Sequence, residues 1–261
     1  IFIQNWNVGK KLKLDNDTKL MAIMNLTPDS FHEASRFNEN NILDTAEKFL
    51  SQGASILDLG AESTRPGFEP VSAETELERL IPALKILRKN FPDAVISVDT
   101  YKSETAKVAI EEGADIINDI SGFEFDAKMP ELIAKSEISY VLSHWQEKPH
   151  ENILSSMIKY FTEKLNFLSE KGVKRENLIL DPGLGFGKTN EDNFEILKNL
   201  ESLKTFGLPI LIGHSRKRFT GKNLYATVAL SGILYGRANI LRVHDVEENS
   251  QAISMVRGLK N

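Results

Sequence analysis

Short apolar runs ending on polar or glycine residues recur along the chain. They lie at Leu20–Leu26, Ser55–Leu59, Ala94–Val98, Ala114–Ile120, Ile138–Leu142, Asn177–Leu180, Pro209–Ile212 and Asn239–Val243. Their length and near-continuous apolar character predict strands buried on both faces. Between them the spacing turns helical, over Asn41–Gln52, Ala73–Lys89, Ser103–Glu112, Asp126–Lys135, Glu151–Lys171, Glu191–Thr205 and Ala226–Tyr235, with Glu247–Leu259 closing the series. Gly53, Gly113 and Gly172 stand where helix C-caps belong, and Ser72 precedes an acidic first turn that suits the helix dipole. Eight strands alternating with eight helices, without a linker or low-complexity stretch, predict a single (β/α)8 TIM barrel forming one domain over 1–261. A doubly wound open sheet has the same strand count and is the structural alternative. Weak alternation around Asn7-Val8-Gly9-Lys10 adds a short N-terminal hairpin.

Composition narrows the classes. The 261 residues are 41% hydrophobic and 26% charged, the mix of an ordinary globular chain long enough for a full barrel core. A net charge of −5 argues against a nucleic-acid surface. With no Cys there are no disulfides, thiol nucleophiles or thiolate metal sites, which suits a reducing compartment. No apolar run approaches the roughly 18–20 residues of a membrane span, and the start lacks a signal-peptide layout, so a cytoplasmic protein is expected. The first residue is Ile rather than Met, so further residues are expected before it.

The candidate chemistry sits where the strands end, because strand C-termini converge on the active face of a barrel. In order these ends carry Asn25, Asp58 with Glu62, Asp99, Asn118 with Asp119, His144, Asp181, Ser215 with Lys217, and Arg242 with His244. Any one of them could be a cap or a buried structural contact. Asp99, Asn118 and Asp181 are acceptors suited to a flat ligand dense in N–H groups. Arg65, Lys217, Arg242 and His244 suit an anion such as pyrophosphate. Asp181 opens a glycine loop, Pro182-Gly183-Leu184-Gly185-Phe186-Gly187-Lys188-Thr189, whose spacing fits neither a P-loop nor a dinucleotide fingerprint. A tight turn capped by Asp181 is its plain structural reading. There is no His pair at helical metal-ligand spacing, but Mg²⁺ bridged by substrate phosphates needs only one or two protein oxygens, and Asn25 could supply one.

Seven motifs, in order, resemble dihydropteroate synthase across about 20–245: Asn25-Leu26-Thr27-Pro28-Asp29-Ser30-Phe31, Glu62-Ser63-Thr64-Arg65-Pro66-Gly67, Ser97-Val98-Asp99-Thr100, Ile117-Asn118-Asp119, Asp181-Pro182-Gly183 with its glycine loop, Ser215-Arg216-Lys217, and Arg242-Val243-His244-Asp245. The resemblance implies a transferase of folate biosynthesis. It would join 6-hydroxymethyl-7,8-dihydropterin pyrophosphate to p-aminobenzoate, with sulfonamides as competitive ligands and a homodimer as the assembly. Carried over by position, Asp99, Asn118, Asp181, Phe186 and Lys217 would hold the pterin, with Trp145 beside it. Asn25, Arg65, Arg242 and His244 would hold the pyrophosphate, with Mg²⁺ on Asn25. Thr64, Pro66, Phe186, Lys217 and Arg218 would shape the p-aminobenzoate site. Asp99, Asp181, Lys217 and Arg242 would carry the catalysis. Ala61, Trp145 and Arg218 depart from the family's usual residues.

Two rivals share parts of this pattern. A methyltetrahydrofolate methyltransferase has the acidic pterin floor but no need of the Thr-Pro-Asp-Ser-Phe loop or the Ser-Arg-Lys turn. A pterin binder without turnover has little use for Arg65, Lys217 and His244.

Overall fold

The computed structural model describes residues 6–9, 11–26, 39–62, 70–148 and 152–260. Within them the alternation read from the sequence is realised as a parallel barrel. Its strands are β3 (Lys19–Asn25), β4 (Ala54–Gly60), β5 (Val95–Asp99), β6 (Ile116–Asp119), β7 (Ser139–Ser143), β8 (Leu178–Asp181), β9 (Leu211–Gly213) and β10 (Ile240–Val243). They are preceded by a hairpin of β1 (Trp6–Val8) and β2 (Leu12–Leu14). The sheet order is β8-β7-β6-β5-β4-β3-β10-β9, and a single parallel bridge between Leu180 and Ile210 joins its two ends. There the Leu180 N–H donates to the Pro209 carbonyl at 2.8 Å. The open-sheet alternative is thereby excluded.

The helices are α1 (Glu39–Ser51), α2 (Ala73–Asn90), α3 (Ser103–Glu111), α4 (Met129–Ser136), α5 (Ile153–Glu170), α6 (Asn190–Lys198), α7 (Leu224–Leu234) and α8 (Val246–Lys260). Ser72 caps α2, its hydroxyl accepting from the Thr75 N–H, as its position before the acidic turn predicts. One helix is shorter than expected. The pattern over Glu191–Thr205 resolves into α6 and a separate 3-10 segment, Leu200–Phe206, because the chain leaves the α-helical path at Asn199. Apolar spacing alone does not separate two consecutive helical types on one face.

Two cores follow from the pleat, which sends alternate strand residues to opposite faces. Leu57, Leu59, Ile96, Val98, Tyr140 and Leu142 face outward into the layer shared with the helices. Each strand also sends one apolar residue inward: Met21, Ile56, Val95, Ile116, Val141, Ile179, Leu211 and Ile240 form an inner cluster, which Val8 and Leu14 of the hairpin join. The hairpin therefore plugs the mouth where the strands begin. Two residues further along each strand, the inward positions are Ile23, Asp58, Ser97, Asn118, Ser143, Asp181, Gly213 and Arg242. The interior changes from hydrocarbon to polar groups in one step toward the strands' C-terminal ends.

Candidate active site

The polar layer is organised by one cation. Arg242 donates from Nε to Asp58 Oδ2 and from Nη2 to Asp99 Oδ2, each at 2.6 Å. Asn118 Nδ2 also approaches Asp58 Oδ2, at 3.4 Å. Burial pushes the Asp99 carboxyl up to about 7; Arg242 pulls against this, while Asp58, Glu76 and Asp119 add to it. Burial also raises Asp181, although the Gly183 N–H, Lys217 and Lys188 favour its charged form. Among the described residues, Asp58 Oδ1, Ser97 Oγ, Asp99 Oδ1, Asn118 Oδ1 and Ser143 Oγ are buried without a hydrogen-bond partner. Buried acceptors are ordinarily satisfied. Asp99 Oδ1 and Asn118 Oδ1 can accept from a ligand's N–H groups, whereas Asp58 lies fully buried behind Arg242.

The glycine loop after β8 supplies the opposite wall. Asp181 Oδ1 accepts from the Gly183 N–H at 2.8 Å, so the capping turn and the strand-end carboxylate are the same residue. Gly183 has φ +63, and a Cβ there would lie 2.2 Å from the His144 carbonyl oxygen; at Gly187 it would lie 1.8 Å from that of Gln146. Only glycine lets this loop press against the segment after β7. Lys188 fastens the two together, its ammonium donating to the carbonyls of His144 at 3.0 Å, Gly183 at 2.8 Å and Phe186 at 3.1 Å. Gln146 Nε2 adds a bond to the Gly187 carbonyl at 2.9 Å. Phe186, placed by this loop, lies under the Lys217 ammonium at 4.3 Å from its ring centroid. Burial draws Lys217 down to about 8, against the pull of Asp181 and Asp99.

The expected site residues divide in the following way. Asp99, Asn118, Asp181 and Arg242 share the polar barrel layer, with Lys217 and Phe186 beside it. Asn25 is half-buried above Gly60, where a built Cβ would lie 3.9 Å from its Oδ1 and 3.8 Å from Asp99 Oδ2. His244 Nδ1 lies 3.0 Å from Ser215 Oγ, which also accepts from the His244 N–H at 3.2 Å. Trp145 meets Phe125 edge-on at 5.1 Å, and Phe125 meets Tyr101 in the same way at 5.3 Å. Arg218 is exposed in a 3-10 turn, Arg218–Thr220. Thr64, Arg65 and Pro66 lie outside the described residues, as does the Thr27–Phe31 motif.

Other strand-end groups prove structural. Asp119 accepts from Ser121, Phe123 and Tyr140 and stays on the outer side of β6. Glu62 takes Lys102 and the Tyr101 hydroxyl, and Asp245 takes Arg216. The His144 ring packs edge-on against Tyr160. Ser97 and Lys188 stand inside the motifs quoted above without a role of their own, while Ser143 and the pairing of Asp58 with Arg242 go unread in the sequence. Strand parity could have pointed to Ser143, two positions beyond the inward Val141; nothing local marks Lys188.

Among the described residues no three His, Cys, Asp or Glu side chains gather as a metal cage. A single amide oxygen, Asn25 Oδ1, beside the acidic layer suits Mg²⁺ brought by phosphate oxygens, which needs few protein ligands.

A family model described as pterin binding enzyme matches residues 21–257. A dihydropteroate synthase of Clostridium beijerinckii is 41% identical over 259 residues, covering 95% of this chain and 96% of its own. A dihydropteroate synthase of Clostridium difficile, solved in the presence of pteroic acid, superposes with a TM-score of 0.89 at 38% identity, covering 93% of this chain and 97% of its own. The Yersinia pestis dihydropteroate synthase in complex with a sulfonamide drug superposes at 0.89 and 32% identity, covering 100% of this chain and 99% of its own.

Proposed function

We propose, from the premise that the chain belongs to the pterin-binding enzymes and among them to the dihydropteroate synthases, that the orphaned acceptors of the barrel interior seat the dihydropterin. The activity is that of folate biosynthesis: 6-hydroxymethyl-7,8-dihydropterin pyrophosphate and p-aminobenzoate give 7,8-dihydropteroate and pyrophosphate. One observation carries the site assignment. Asp99 Oδ1 and Asn118 Oδ1 are buried acceptors without donors, and the dihydropterin edge is rich in N–H groups. Asp181 completes the acceptor set, and Lys217 offers the donor for the pterin's own oxygen and nitrogen acceptors. Phe186 gives the ring an apolar face, and Trp145 closes the side toward Phe125.

Arg242 and His244 face the pyrophosphate in this reading, with Asn25 and Arg65. Bound Mg²⁺ would supply charge neutralisation of the departing anion. Thr64, Pro66 and Arg218, with Phe186 and Lys217, shape the place for p-aminobenzoate, which sulfonamides contest. The C–O bond at the pterin methylene breaks and pyrophosphate takes the electron pair. The arylamine nitrogen then forms the new C–N bond and loses a proton. Asp99 and Asp181 stabilise the positive charge that grows on the dihydropterin, so cleavage runs ahead of attack. No covalent enzyme intermediate is needed.

We read the whole chain, 1–261, as one pterin-binding domain of the cytoplasm, in keeping with a sequence that has no Cys. For the expected homodimer we propose a face on α7 and α8. The α7 segment has no charged residue, turns Thr227 and Ser231 inward, and leaves Tyr225 and Ile233 exposed at 81% and 62%. Beside them α8 exposes Met255 and Leu259. An uncharged apolar face of this kind suits a second copy meeting it by twofold symmetry.

The test is pyrophosphate release from the pterin pyrophosphate, with and without p-aminobenzoate and Mg²⁺. Mg²⁺-dependent release, yielding dihydropteroate when p-aminobenzoate is present, is expected. Pterin binding without any release would overturn the assignment.

A further inference from the structure

Asp58 has no place in the roles above, yet it holds the centre of the polar layer. Its carboxylate is the partner of Arg242 Nε at 2.6 Å, while Arg242 Nη2 reaches Asp99 Oδ2 at the same distance. The three side chains form a gradient of depth: Asp58 is 0% exposed, Asp99 6% and Arg242 18%. A ligand entering from the strand ends meets the guanidinium and Asp99 but cannot reach Asp58. Arg242 also lies far from both carboxylates in the sheet order, since β3 stands between β10 and β4. Its side chain must reach past β3 to meet Asp58 and past β4 as well to meet Asp99. A long, flexible cation spanning that distance needs a fixed point.

We propose that Asp58 is a positioning residue, anchoring Arg242 by Nε so that its Nη edge stands over Asp99 and faces the leaving pyrophosphate. The inference rests on the placement of pterin and pyrophosphate given above. It divides the work of Asp99 between its two oxygens. Oδ2 steadies Arg242, and Oδ1, which has no partner, is left for the dihydropterin. Asn118, whose Nδ2 leans on Asp58 Oδ2 at 3.4 Å, presents its own unpartnered Oδ1 to the same ligand. Asp58 thus aims Arg242 without touching the ligand, while its 3.4 Å approach to Asn118 is too long to hold that amide in place. Its carboxylate gives a charge-assisted bond, directional enough to set the plane of the guanidinium.

The experiment compares two ligands on the full chain by calorimetry with Mg²⁺ present: 6-hydroxymethyl-7,8-dihydropterin, and the same compound as its pyrophosphate. In Asp58→Asn the preference for the pyrophosphate form should fall at least about tenfold, the worth of one charged hydrogen bond. Affinity for the alcohol should change by less than about threefold, because Asp99 Oδ1 and Asp181 are untouched. In turnover the variant should lose kcat with little change in the KM for p-aminobenzoate. If Asp58→Asn does not fold, Asp58→Glu serves instead, since it keeps the charge but displaces the oxygen that holds Nε, and it must show the same selective loss. Equal losses for both ligands, or an intact preference, would overturn the proposal. A wild-type chain that binds neither pterin would overturn the site assignment beneath it.

Discussion

Lys188→Met removes the ammonium that ties the loop after β8 to the segment after β7. The substitution keeps length and apolar volume but deletes three donors, those to His144, Gly183 and Phe186 at 2.8–3.1 Å. A bond from a charged donor is worth about 1.5–3 kcal/mol net, so three make a gross loss of roughly 4.5–9 kcal/mol. Against this stands the cost of burying an ammonium, several kcal/mol. That cost is visible here in burial drawing Lys188 down to about 7. We expect a net loss of about 3 kcal/mol, since the loop also relaxes enough to admit water. For a chain of this size each kcal/mol moves Tm by about 2–4 °C, giving a drop of about 6–12 °C by calorimetry. Because this loop places Phe186, against which the Lys217 ammonium packs, pterin affinity should fall with it. A variant melting within about 2 °C of the parent would refute the clasp, for three buried carbonyls cannot lose their donors at no cost.

Three further outcomes follow from the site and the surface. Asp99→Asn should cut kcat by about 100-fold or more while leaving the melting transition close to the parent's, measured by steady-state turnover beside calorimetry; near-normal turnover would remove Asp99 from the mechanism. Activity against pH should be a bell. Asp99 must be ionised, so the rate rises as pH climbs through about 7, and Lys217 must be protonated, so the rate falls as pH climbs through about 8; a flat profile across this range would contradict both roles. Ile233→Asp on the exposed face of α7 should shift the chain toward monomer in sedimentation without changing its helix content.

The barrel was legible because its strands carry two signals at once, apolar runs and polar ends, and because helices fill every gap. α7 was legible as a helix but not as a surface, since it is apolar on nearly every side and its two polar hydroxyl residues, Thr227 and Ser231, turn inward beside Leu234. The site was legible as a list of residue types. It was less so as a set of partners, because ion pairs across a barrel join positions remote in sequence: Arg242 and Asp58 are 184 residues apart. Adjacent strand residues face opposite ways, so Asn118 enters the site and Asp119 braces the outer shell. The same alternation favours Ser143 over His144. Lys188 read as one more polar loop residue, because what it binds are backbone carbonyls, which every sequence has.

The join between β8 and β9 is the thinnest line of the barrel wall. That seam holds by one bridge at Leu180 and Ile210 where the other neighbouring strands share longer ladders. Asp181 lies just beyond it on one side, and Lys217 follows β9 on the other. On the proposed placement, a pterin held by both would span the weakest line of the cylinder like a staple. The ligand would then form part of the wall, and the Leu180 amide should exchange its hydrogen more slowly when the pterin is bound than when the seam is left to close itself.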